Sequence, residues 1–324
     1  MSAPAVVTKS ARSRRIWYGL QTGDEVAHLV TFLFAACILL LTAFLVWELW
    51  VQSAESRAKF GFHFLFTSNW DPVSGDFGAL PFIYGTVVTS VVALIISIPL
   101  GVGAAIFLAE LAPPRLSSAC TFLVELLAAI PSVIYGLLAL FTLIPLMRSY
   151  GEPFLKKTLG FLPFFDGPAY GVGYLSAGMI LAVMTFPFVI AISRESLMEV
   201  PRDQREAALA LGATRWEATF LVVLPYARLG ILGSIFLGLA RALGETMAVT
   251  MVIGNDPAIH ASLLAPGYTI ASVIANEFAE AGSSLHTSAL IEMGLVLFFV
   301  TIVVNALARL LVLATSRKGT AQSS

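Results

Sequence analysis

The sequence predicts an all-α membrane protein with about six transmembrane helices. Mean hydropathy is +0.87 over 324 residues. Only 12% of residues are charged, about half the share of a soluble domain. Six apolar runs, near 26–50, 82–109, 117–147, 168–192, 227–254 and 287–313, reach the roughly 20 residues needed to cross a bilayer as helix. The formal net charge is −1, so the chain carries no nucleic-acid footprint.

Taken in order, residues 1–25 are a basic tail with Lys9, Arg12, Arg14 and Arg15. The run 26–50 is too long for a signal-peptide core, and Trp47–Val51 is a poor cleavage site, so it reads as a retained first span. Residues 51–81 form an external loop. The core region is 82–313, and 314–324 is a second polar tail. The third run holds Pro131 and Pro145, which predict a kinked span. Trp17, Tyr18, Trp47, Trp50 and Trp70 suit the interfacial belts. Cys37 and Cys120 fall within apolar runs, where they act as small apolar residues and not as a disulfide framework.

Lysine and arginine set the orientation. Thirteen of them, at 9, 12, 14, 15, 115, 194, 202, 205, 215, 228, 309, 317 and 318, collect on one side, against five at 57, 59, 148, 156 and 157. Both termini, the 110–116 turn and the 193–226 loop are therefore expected in the cytoplasm. The loop 255–286, with no lysine or arginine, is expected outside.

The polar island 193–226 has its own grammar. Pro201 suits a helix start, and a helix is predicted over Arg202–Leu211. Gly212 can take the left-handed conformation that ends it. Thr214 and Glu217 have capping-box spacing for a second helix, which runs to about Val223 and meets Pro225. The plain reading is an amphipathic helix pair resting on headgroups. The sharper one is a docking element for another protein.

Ionisable residues within apolar runs are costly and are functional candidates. Arg241 and Glu245 are four apart in the fifth run, hence on one helical face. They read either as a neutralising pair or as a cationic station for an anion, with Glu245 tempering its grip. Glu125 and Glu292 read equally as partners or pathway groups, and Glu110 as a boundary charge. Thr86, Thr89 and Ser90 share a face of the second run; with Ser132 and Tyr135 they furnish hydroxyls that either pack helices or donate to an oxyanion.

The spacing Glu206-Ala207-Ala208, three residues, Gly212, nine residues, Val222, one residue, Leu224-Pro225 resembles the EAA loop of ABC importer permeases. The segments 70–86, 130–137 and 241–255 resemble the PstC-type permeases of the phosphate-specific ABC importers, over about 70–309. The resemblance implies a type I (MetI-like) permease fold and transport of inorganic phosphate. It also implies a PstA-like second permease as heterodimer, two PstB-like ATPases in the cytoplasm and a PstS-like binding protein outside. It carries Arg241 and Glu245 over as phosphate-path charges. Glu206, Ala207, Ala208, Gly212, Leu224 and Pro225 would couple to the ATPase. No catalytic site, cofactor or metal is expected: the chain has no G-x-x-x-x-G-K-[ST] phosphate loop and no H-E-x-x-H among its four histidines. A permease for sulfate or molybdate and an ion-coupled anion transporter are the rival readings.

Overall fold

Apolar residues fill every long helix, and the computed structural model is mostly helical among the described residues. It describes the backbone of residues 24–320 and the side chains of 26–310; the basic tail with Trp17 and Tyr18, and the last four residues, lie outside the described residues. The chain divides into two compact units at Gln52/Ser53. The first holds α1 (Asp24–Gln52), a single helix apolar on all sides. The second holds α2 (Ala54–Phe60), α3 (Leu80–Leu111), α4 (Pro114–Ala129), α5 (Ser132–Leu159), α6 (Tyr174–Met198), α7 (Arg202–Ala210), α8 (Arg215–Gly244), α9 (Met247–Val252), α10 (Ile270–Glu277) and α11 (Ser284–Thr320). Among the described residues six helices, α1, α3, α5, α6, α8 and α11 as far as Leu310, are long and apolar enough to cross a membrane.

Two predicted spans change shape. At Pro131 the third run breaks instead of kinking, because Ile130 is extended (ψ 129°), as a residue before proline prefers to be. The crossing helix is therefore α5, which continues to Leu159 through the predicted loop 148–167. Pro145, Pro153 and Pro225 do not stop their helices. Each follows a π turn, at Ala139–Leu143, Met147–Gly151 and Thr219–Val223. Widening the turn accommodates a proline ring that would clash with the carbonyl four residues earlier. The second helix of the island thus runs on through Pro225 into the fifth span as one element, Arg215–Gly244.

α3 and α6 form the packed centre of the second unit, with Ala93, Ala177, Ile180, Leu181 and Met184 buried. A separate cluster closes the end that holds residues 54–79 and 268–290. Phe64, Trp70, Phe77, Phe82 and Tyr268 are buried there with Leu290 and Met293. Trp70 is 9% exposed, so it is not an interfacial anchor. Its indole edge meets Phe77 and Phe82, and its Nε1 donates to Glu277 (2.9 Å). The segment predicted as an outer loop is thus tied to the last span; Ser56 N also donates to Ser288 Oγ (3.1 Å).

Three buried hydroxyls of α3 are spent on this packing. Thr86, Thr89 and Ser90 donate to the carbonyls of Phe82, Gly85 and Thr86. Thr86 Oγ1 also accepts from Ile270 N (3.0 Å), capping α10 from 184 positions away. Thr86→Val is expected to cost about 1–3 kcal/mol, the penalty of a buried N–H left without a partner, read as a fall in the unfolding midpoint in detergent. An unchanged midpoint would contradict the cap.

Candidate functional site

Arg241 is the most exceptional side chain of the spans. It sits in the last turn of α8, and its buried Nε has no hydrogen-bond partner. Its guanidinium lies over the ring of Phe188 on α6, 4.6 Å from the centroid, in cation–π geometry. Its charge also acts on Tyr135 of α5. Tyr135 is buried and donates to the Leu127 carbonyl (2.8 Å), tying the two sides of the Pro131 break together.

The expected Arg241–Glu245 helical pair does not form. α8 ends at Gly244, and Glu245 is extended (φ −71°, ψ 128°). The four-residue spacing therefore no longer places both on one face. Glu245 instead turns to the start of α9, where Oε1 accepts from Ala248 N (3.4 Å). Among the described residues Arg241 makes no ion pair.

Of the other predicted pathway residues, Ser132 lies on the same helix as Tyr135. It opens α5 half-buried, and Gly136 one turn on packs directly on α9. A Cβ at Gly136 would come 2.6 Å from Met251 Sδ and 3.1 Å from Ala248 Cα. Glu125 does not join this region: it is exposed on α4, a helix the Pro131 break separates from the span. Thr86 and Thr89 do not join as donors, for the reason given above. Glu292 is buried on α11 with Ser56 and Arg57 as its polar neighbours. Phe188 went unrecognised in the sequence, because nothing in the run TFPF distinguishes it from its apolar neighbours.

A second constellation forms around α7, at the end where α3 and α6 finish. Gly212 has φ +91°, the left-handed conformation expected of it. The capping box is complete: Thr214 Oγ1 accepts from Glu217 N (3.2 Å), and Glu217 Oε2 accepts from Thr214 N (2.8 Å). Glu206, Ala207, Leu209 and Trp216 are exposed, and Leu211 at the tip is 91% exposed. Leu224 is half-buried and Pro225 exposed. Arg205 and Glu110, which sequence reading took for a topological charge and a boundary charge, form an ion pair here at 2.8 Å. A cavity of about 450 Å³ opens beside them, lined by Glu110, Arg202, Arg205, Glu206, Leu209 and Arg215 among others.

An all-helical spanning body with a polar, exposed helix–glycine–helix element at one end fits a transporter permease. Residues 97–317 match the family described as the binding-protein-dependent transport system inner membrane component, and the chain belongs to that family. It is a multi-pass membrane permease subunit of the ABC importer class. The chain is 46% identical over 290 residues to the phosphate transport system permease protein PstC of Mesorhizobium japonicum, covering 88% of this chain and 89% of that one. It is 49% identical over 262 residues to PstC of Xylella fastidiosa strain 9a5c, covering 80% and 81%. Among solved structures, a bacterial ABC transporter involved in the import of the acidic polysaccharide alginate aligns with TM-score 0.54 at 18% identity, covering 91% of this chain and 98% of that one; it shares the fold.

Proposed function

We propose that this chain is the phosphate-conducting permease subunit of an ATP-driven importer. The relatives named PstC, 46–49% identical over 80% or more of the chain, carry the phosphate reading most directly. Arg241 supports it chemically. A half-buried arginine whose Nε lacks a protein partner suits an anion, and bidentate recognition of phosphate is what a planar guanidinium does well. Phe188 sits beside the guanidinium, its ring centroid 4.6 Å from Cζ. Ser132 supplies a further hydroxyl. Because Glu245 is engaged at α9, it tempers Arg241 less than a direct pair would.

In this reading α7, Gly212 and the start of α8 face the cytoplasm and dock into a PstB-like ATPase. A PstA-like permease completes the pathway, and a PstS-like binding protein delivers phosphate from outside. ATP binding and hydrolysis by the partner drive alternating access. Uptake of labelled phosphate into proteoliposomes holding the whole complex, with ATP inside and the binding protein outside, tests the function. Uptake should require both and resist competition by sulfate and molybdate. ATP-independent uptake collapsed by an uncoupler would overturn it.

A further inference from the structure

α7 is weakly held except at one residue. It buries none of its nine residues, and the chain changes direction at both of its ends. Pro201 before it is extended (ψ 140°), and Gly212 after it is left-handed. Among the described residues, Arg205 is the only side chain of α7 that makes a hydrogen bond. Its Nε and Nη2 donate to Glu110, the latter at 2.8 Å. Nη2 also donates to the Leu197 carbonyl (2.7 Å), and Nη1 to the Val200 carbonyl. The two side chains are only 22% and 11% exposed. One guanidinium therefore joins α7 to the end of α3, through Glu110, and to the end of α6, through two carbonyls left over at its C-terminus.

We infer that the Arg205–Glu110 pair is the transmission link of this permease, the contact through which displacement of α7 moves α3 and α6. This rests on the ATP-coupled reading above and adds residues outside the EAA pattern itself. α3 and α6 form the packed centre of the unit, and Phe188, which sits beside Arg241, is on α6. Without the link, α7 still packs on the Thr219–Val223 turn of α8, but it has no side-chain hydrogen bond to α3 or α6 among the described residues. With the link, a push on α7 is delivered to two helices at once. Arg205 and Glu110 are positioning residues in this scheme: neither touches phosphate.

The test is made on the complete complex in proteoliposomes, reading ATP hydrolysis, phosphate uptake and copurification of the ATPase together. Glu110→Gln is nearly isosteric and leaves the two carbonyl bonds of Arg205 in place. It is expected to keep assembly and ATP hydrolysis while phosphate moved per ATP falls by about 10-fold, the scale of a lost charged hydrogen bond. Arg205→Gln should fall further, and the double variant no further than Arg205→Gln alone, since both act through one contact. Unchanged phosphate per ATP in both single variants overturns the inference. So does failure of Glu110→Gln to assemble, which would make the pair merely structural. If the unsubstituted complex hydrolyses ATP but moves no phosphate, the substrate reading falls instead.

Discussion

Arg241→Gln is expected to reduce phosphate uptake by about 10- to 150-fold, the effect of removing a charged hydrogen-bond donor worth about 1.5–3 kcal/mol, with copurification of the complex intact. Assembly should survive because the guanidinium makes no ion pair among the described residues, so its loss strands no buried carboxylate. Two companions separate charge from geometry. Arg241→Lys keeps the charge but loses the planar face that lies on Phe188, and should give an intermediate loss. Phe188→Leu keeps the charge and frees its orientation. A cation–π contact worth about 0.5–2 kcal/mol makes the expected loss about 2- to 30-fold. Glu245→Gln should have a smaller effect than Arg241→Gln, since an amide oxygen can still accept from Ala248 N. Uptake by Arg241→Gln at the unsubstituted rate would refute the station.

The second large effect is expected at Gly212. With φ at +91°, any other residue there meets a backbone penalty of about 1–2 kcal/mol, larger for a β-branched side chain. A Cβ at this position meets nothing within 4 Å, so the penalty is conformational and not a clash. Gly212→Val should therefore leave the spans folded while misdirecting Leu211 and the Thr214–Glu217 box, the exposed tip of the element. Copurification of the ATPase and phosphate uptake should fall together, whereas Gly212→Asn, which tolerates the left-handed region, should keep most of both. A valine variant that copurifies and transports normally would remove this residue from the coupling role.

What could be read beforehand followed from how local each cause is. Five of the six apolar runs, the helix–glycine–helix and the capping box depend on residues a few positions apart, and they appear close to where expected, while the run 117–147 does not. The prolines do not follow from local sequence in this way. Pro131 breaks its helix while Pro145 and Pro225 are absorbed by π turns. The difference lies in the backbone around each, which no single residue type specifies. Arg241 and Glu245 were found as rare charges in oily sequence, but their relation was misread. Four-residue spacing implies a shared face only while the helix lasts, and α8 ends between them. Thr86 looked like a pathway hydroxyl because its partner, Ile270 N, is 184 positions away. Arg205 and Glu110 looked unrelated at a separation of 95.

By itself, then, the amino-acid order determined the membrane class, the six helices long and apolar enough to cross a bilayer among the described residues, and the place of the helix–glycine–helix element. Hydropathy acts through the composition of a run, and helix caps act within one turn. Only the folded chain decided which charges are paired and which are left over: Arg205 is satisfied by Glu110, and Arg241 keeps a bare Nε against Phe188. In a low-dielectric interior the fate of a charge depends on what lies within a few ångströms of it, and those neighbours come from helices far apart in sequence.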